Sequence, residues 1–301
     1  MSTPPKALCD VRPLRRGDEV ADDLPRPRQD DPSSGKRRSL VAVREDLVIG
    51  SGSMTLAPGV ESYFAEVRVS AGHRRKGVGT ALFDALFALV GPMRVPVVGR
   101  VMASQPQRRA FADSLGCTVL AHCPVPYVAP TADEVRAWAS LQSVPAGWLI
   151  APIGDLDDDQ LASAWADLFT WTHQPFGRVM LDQLPQMWTS YRVGCDPAVS
   201  TVCLDSDGRV VALSLVSLEA WEHHNLMVTE TVRRDQPNGA AAVAAVVAGS
   251  LTQLANRGVT TVEIEGHSTD VHISELIESL PTSGSDPMDI MVFGQRVPTH
   301  S

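Results

Sequence analysis

The chain has 301 residues, 44% of them hydrophobic, enough to give each of two ordinary domains its own core. A formal net charge of −9 argues against a general nucleic-acid or membrane-surface binder, although basic residues cluster at 73–76 and 108–109 and leave room for a local anion site. The five cysteines include no CxxC pair, so neither a zinc knuckle nor a disulfide framework follows from them, and the lack of a signal-like opening or a long apolar run predicts a cytoplasmic protein.

In chain order, ALCDVRPL at 7–14 alternates like a short strand. DDLPRPRQDDPSSGKRRS at 22–39 is polar and proline-rich, and predicts an exposed loop without regular structure. SLVAVRED and LVIGSGSMTLA predict a hairpin, and ESYFAEVRVSAG a further strand. HRRKGVGTAL at 73–82 is a cationic turn that runs through two glycines into a helix. On that helix Leu82, Ala85, Leu86 and Leu89 recur on one face, and Gly91 and Pro92 stop it. VPVVGRVMAS predicts the next strand, and QRRAFADSLGC a short helix ending at Gly116.

The second half repeats this unit. STVCLDSDGRVVALSLVSL predicts a hairpin turning at DSDG, and NLMVTETV the strand before a second loop, RRDQPNGAAA. The helix that follows buries Val243, Val246, Val247, Leu251 and Leu254 and ends at Gly258. VTTVEIE predicts a strand and DVHISELIESL a closing helix. From Gly77 to Gly239 the repeat spans 162 residues (239 − 77), so the chain reads as an internal duplication with its boundary near 128–147 and domains at 1–130 and 131–301. Trp138, Trp148, Trp165, Trp171 and Trp188 lie around that junction, with WTHQPFG among them. They read either as helices packing their aromatics or as part of a substrate wall.

A strand, then glycines, then a helix N-terminus make an anion site, because unpaired amides and the helix dipole point the same way. Arg74, Arg75 and Lys76 add positive charge around it. No GxxxxGK[ST] is present, and GSGSMT at 50–55 lacks the third glycine of a dinucleotide fingerprint. Instead Arg74-x-x-Gly77-x-Gly79, after a V-x-V strand (Val67, Val69) and with LGC closing the unit, resembles the acyl-CoA loop of the GCN5-related N-acetyltransferase (GNAT) family. That family's pattern is (Q/R)-x-x-G-x-(G/A), and Gln236-x-x-Gly239-x-Ala241 also fits it.

The resemblance covers about 40–128 and 195–295. It implies an α/β chain of two fused GNAT folds, each a mixed, mostly antiparallel sheet flanked by helices. The implied activity is acyl-CoA-dependent N-acyl transfer, from acetyl-CoA to the primary amine of a small molecule such as a natural-product or antibiotic precursor, an aminophosphonate among them. No metal, nucleic-acid or membrane partner is implied, and the chain is expected to be a monomer or homodimer. The rival reading is a non-catalytic CoA-binding regulatory or interaction protein.

The resemblance places the cofactor on Val67, Arg68 and Val69, whose main chain would polarise the thioester carbonyl, and on Arg74, Arg75, Lys76, Gly77, Val78, Gly79 and Thr80. Glu61 and Glu66 are the local candidates for the base, with Glu230 their counterpart in the second half; Glu66 is chosen because it lies three residues before Val69. The tyrosine with which the family often protonates the leaving thiolate would fall at Ala112, or at Ile277 in the second half. Tyr63, a group from the other half, or water would then serve, and His73 is a further candidate for proton shuttling or phosphate binding. The loop at 22–39 stands where the family has acceptor-covering helices, which makes His173, His223, His224 and the tryptophans candidate acceptor contacts supplied by the second half. The second loop loses a donor at Pro237, carries Asp235, and has Arg233 and Arg234 ahead of the motif, so a single productive acyl-CoA is expected in the first half.

Overall fold

Two residues, Glu45 and Asp46, close the first long hairpin, both with left-handed φ (52° and 66°), as a two-residue turn that matches strand twist requires. The computed structural model describes residues 9–28, 30, 36–90, 95–218 and 225–294. His223 and His224 lie outside them, as do Gly91 and Pro92.

The described strands are, in order, β1 (Asp10–Arg12), β2 (Glu19–Val20), β3 (Arg37–Arg44), β4 (Leu47–Leu56), β5 (Val60–Glu61), β6 (Tyr63–Val69), β7 (Val97–Met102), β8 (Thr118–Cys123) and β9 (Pro126–Val128). They continue with β10 (Leu149–Pro152), β11 (Arg178–Val179), β12 (Thr201–Leu204), β13 (Val210–Ser217), β14 (Asn225–Thr231), β15 (Val262–Glu265), β16 (Gly284–Ser285) and β17 (Met288–Phe293). The α-helices are α1 (Val78–Val90), α2 (Pro106–Ser114), α3 (Asp133–Ser140), α4 (Asp158–His173), α5 (Leu184–Gly194), α6 (Gly239–Asn256) and α7 (Val271–Ser279). They form two units that interleave in sequence: Met1–Gly99, Ala110–Thr118 and Met291–Ser301 make the first, Arg100–Arg109 and Val119–Ile290 the second.

In the first unit β3 pairs antiparallel with β4 from Arg37↔Thr55 to Arg44↔Leu47, and β4 pairs antiparallel with β6 from Gly50↔Val69 to Leu56↔Tyr63. The parallel pairing of β6 with β7 is far shorter, Tyr63↔Val97 and Phe64↔Val98 alone. Alternation along the strands makes the sheet two-faced. One face carries Leu40, Ala42, Met54 and Tyr63 into a core closed by Val78, Leu82, Phe83, Leu86 and Val90 of α1. The expected helix stripe is thus rotated: Leu89 is 48% exposed, and Phe83 and Val90 take its place. Gly50 and Gly52 let α1 lie low on this face, since a Cβ there would stand 3.0 Å from Leu82 Cδ1 and 2.7 Å from Leu86 Cδ1. That is the use of the GSGS run.

The closing helix is not the last element. β17 follows β7 in the sheet order, and in the first unit Phe293 packs on Phe83 with ring centroids 4.5 Å apart.

The second unit holds a seven-stranded sheet in the order β10-β12-β13-β14-β15-β9-β16. Val243, Val246, Val247, Leu251 and Leu254 of α6 are fully buried against it. By length and composition α6 is apolar enough to cross a membrane, and here it is the core helix of a sheet-bearing unit. Thr201 Oγ1 donates to Val246 C=O at 2.7 Å and fastens it to β12. The tryptophans pack: Trp165 and Trp188 are buried with ring centroids 5.7 Å apart, and Trp138 and Trp148 lean on the main core.

Gly52→Val should destabilise the first unit by about 1–3 kcal/mol through overpacking under α1. Gly72→Ala, where an added Cβ meets nothing within 4 Å, should stay within about 0.5 kcal/mol. Chemical denaturation followed by circular dichroism reads both, and equal effects would remove the packing role assigned to Gly52.

Candidate functional site

The chain leaves β6 through Ser70 and a 3-10 turn at Ala71–His73. Asp23 Oδ2 accepts the Ala71 N–H at 2.7 Å, a bond that fixes where the loop starts and lowers the Asp23 pKa. Arg74 is extended, Arg75 is left-handed at φ 59°, and Gly77 is left-handed at φ 80°. For Arg75 that conformation costs about 1–2 kcal/mol, strain of the kind that gathers at functional loops. The α1 ladder opens with Ala81 N–H donating to Gly77 C=O at 3.0 Å, so the amides of Gly77, Val78, Gly79 and Thr80 lie ahead of it. Any Cβ at Gly79 would meet the Phe111 ring at 3.3 Å, which keeps this first turn bare.

The cations fold over the loop. Arg74 Nε donates to Val69 C=O at 2.9 Å and Lys76 Nζ to Gly72 C=O at 2.6 Å. His73 Nδ1 is buried without a hydrogen-bond partner among the described residues. Bare amides at a helix N-terminus, three cations and an orphan imidazole nitrogen fit a polyanion such as the CoA pyrophosphate.

β6 distributes the other sequence-predicted residues between its two faces. Glu66 and Arg68 share the face away from α1, and Glu66 Oε1 accepts from Arg68 Nε at 2.7 Å and from its Nη2 at 2.5 Å. Val67 and Val69 lean toward α1. On their free edge the main chain has left β7, whose pairing ended at Phe64. Tyr63 is not brought to the loop. It is 4% exposed in the apolar core, on the opposite face to Glu66. Six residue steps at about 3.3 Å put it about 20 Å along the strand from Val69. Glu61 sits beyond it on β5. Ala112 is buried and has no proton to give.

The second half is arranged differently. β14 pairs parallel with β15 over Asn225–Val228 and then leaves it, as β6 leaves β7. Glu230, the base candidate of the second half, is 1% exposed. Its Oε2 accepts the amides of His272 and Ile273 at the start of α7, both at 3.1 Å, and its Oε1 meets His272 Nδ1 at 2.8 Å and the Thr231 amide at 2.7 Å. The His272 ring presses on the second loop so closely that a Cβ at Gly239 would lie 2.3 Å from Nε2. Gly239 N–H is already spent on Gln236 C=O at 3.0 Å, and Gln236 is buried. Protein groups thus crowd the second loop, where the matching turn of the first half is bare.

His173, a candidate acceptor contact, stacks on Phe169 at 3.8 Å, and burial pushes its pKa down to about 3. It is a neutral packing residue. Near it, burial opposes the charged form of His267, and the hydrogen bond that His267 Nδ1 donates to Asp270 Oδ2 at 3.0 Å outweighs this and raises the pKa. Trp171 Nε1 donates to Thr231 C=O at 3.0 Å, a tie within the second unit. His272 escaped the sequence reading because its partner Glu230 is distant in the chain.

Charge reversal on the two loops separates their roles. Arg75→Glu should weaken acetyl-CoA binding by roughly 10- to 100-fold, the worth of one charge-assisted contact. The chain tolerates Glu at this φ, as Glu45 at 52° shows. Arg234→Glu on the second loop should change affinity by less than about threefold. Calorimetry reads both, and the reverse ordering would move the donor site to the second half.

Comparison with known proteins bears on this geometry. Residues 8–117, the segment holding β6, the loop and α1, match the Acetyltransferase (GNAT) family. Mycothiol acetyltransferase of Clavibacter sepedonicus is 26% identical over 218 residues, 71% of this chain and 67% of that protein. Among solved structures, a GCN5-related N-acetyltransferase from Sphaerobacter thermophilus superposes with a TM-score of 0.64 at 15% identity, over 86% of this chain and 81% of that one. A tandem GNAT protein from the clavulanic acid biosynthesis pathway superposes with a TM-score of 0.60 at 18% identity, over 86% and 83%. Residues 8–117 thus carry the match to the Acetyltransferase (GNAT) family, and over most of its length the chain shares the fold of a GCN5-related N-acetyltransferase and of a tandem GNAT protein.

Proposed function

We propose that the chain transfers the acetyl group of acetyl-CoA to the primary amine of a small molecule, using one donor site in the first half. The observation that carries this reading is that β6 parts from β7 immediately before the amide-rich loop. Backbone groups are thereby exposed beside an anion cradle, and acyl transfer from CoA needs both together.

Each part has a task in the chain's own residues. The amides of Gly77–Thr80, with Arg74, Arg75 and Lys76, hold the pyrophosphate. Main-chain N–H on the free edge at Val67–Val69 polarises the carbonyl. When bound, acetyl-CoA supplies an activated thioester. The amine nitrogen forms the new C–N bond, the C–S bond breaks, and the CoA thiolate departs. Glu66 takes the proton of the acceptor ammonium through Oε2, because Oε1 already holds Arg68. Tyr63 is too far away to protonate the thiolate, so water does so. The domain cut at 1–130 and 131–301 assigns the donor site to the first domain, and we assign the second a supporting role, its crevice being filled by Glu230 and His272. The names of the relatives, mycothiol acetyltransferase and a clavulanic-acid-pathway protein, suggest amines of specialised metabolism as acceptors.

Glu66→Gln should lower kcat by about 10²-fold or more and leave the KM for acetyl-CoA within about twofold of wild type, read by thiol release across pH. Unchanged turnover, or a loss confined to acidic pH, would make Glu66 a structural partner of Arg68 only.

A further inference from the structure

The face of the first sheet turned away from α1 is polar, and it carries a groove of about 340 Å³ whose lining includes four arginines, Arg26, Arg28, Arg37 and Arg68. Ser51 and Ser53 form its floor, opposite Arg68 and Glu66 in the β4–β6 register. Pro25-Arg26-Pro27-Arg28 lines it as well. A proline fixes its own φ and drives the residue before it into extended backbone, so Arg26 and Arg28 are set two residues apart on a stiff strip whose ordering costs little entropy.

The charge is unbalanced. Arg68 is paired with Glu66, and Arg37 lies 4.0 Å from Asp30 and donates to Ser39 Oγ at 2.9 Å. Arg26 and Arg28 form no hydrogen bond or ion pair among the described residues. Among the described residues, four guanidinium groups against the carboxylates of Glu66 and Asp30 leave a net of +2, in a chain whose total is −9. Two guanidinium groups that line one groove with no partner among the described residues match a carboxylate, phosphate or phosphonate, which they can grip bidentately.

We infer that this groove selects an acceptor that carries an acidic group as well as its amine. The acidic group sits between Arg26 and Arg28, and the amine faces Glu66. The inference rests on the transferase reading above and names its substrate class. The loop that binds the donor lies at the end of β6, whereas the groove lies on the strand's outer face. Donor and acceptor therefore meet at β6 without competing for the same cations.

The test uses β-alanine and 2-aminoethylphosphonate as acidic probes and ethanolamine as the neutral control, titrated by calorimetry into the full chain saturated with CoA. The acidic amines should bind at least tenfold more tightly than ethanolamine. The double variant Arg26→Ala/Arg28→Ala should erase that advantage, a loss of roughly ten- to a hundredfold, while its affinity for acetyl-CoA stays that of wild type. Equal binding of acidic and neutral amines, no binding of the acidic ones, or a loss of acetyl-CoA affinity in the variant would overturn the inference. Thiol release measured in parallel separates the two readings. Turnover of neutral amines without arginine dependence sinks the groove alone, and arginine-dependent binding without any thiol release sinks the transferase alone.

Discussion

Strand β6 has two unlike edges, and the chemistry proposed for the first unit depends on that difference. Toward β4 its ladder runs the whole way to Val69; toward β7 it stops at Phe64. Backbone groups released from a ladder must find water or a ligand, because leaving them buried and unpaired is costly. The release occurs just before the chain turns into α1, so free main-chain groups and the bare first turn of a helix fall together. Gly50 and Gly52 contribute by letting α1 settle low on the sheet, and Gly79 by leaving room beside Phe111.

The second half keeps the divergence and fills it. Beyond Val228 the crevice beside β14 receives the Glu230 carboxylate, which takes two amides at the start of α7 together with His272 and Thr231. A carboxylate from the chain thus occupies the kind of seat that a phosphate would take at a helix N-terminus. Removing one member of such a buried pair typically costs about 3–5 kcal/mol. The duplicated fold therefore serves two ends. In the first copy the opening turn of α1 is bare, as the proposed donor site requires, whereas in the second Glu230 caps α7 and the His272 ring lies against Gly239 at the start of α6.

Much of this could be read along the chain. Alternation and the 3.6 period located β3, β4, β6, α1, the β12–β13 hairpin and α6, because those elements are long and each buries one face. The glycines of the cationic turn marked the loop, since left-handed φ and close approach leave few other residues possible. What failed was short or distant. β9 and β16 are brief strands of three and two residues, and β8 and β17, six residues each, have pairing partners far away in sequence. Glu230 and His272 are separated by 42 residues, and no local pattern joins them. Tyr63 could have been set aside from sequence alone. Three residues along a strand place it and Glu66 on opposite faces. The arginine pair of PRPR was visible within a segment expected to be irregular, and its meaning came only from the serine-lined sheet face beneath it.

The central claim is that a single acyl-CoA seat exists and that it lies at the junction of β6 and α1. Hydrogen–deuterium exchange with and without saturating acetyl-CoA tests this most directly. Amides at 67–80 should gain protection, while those at 232–242 should exchange as before. Protection at 232–242 with none at 67–80 would contradict the account and place the working donor site in the second half.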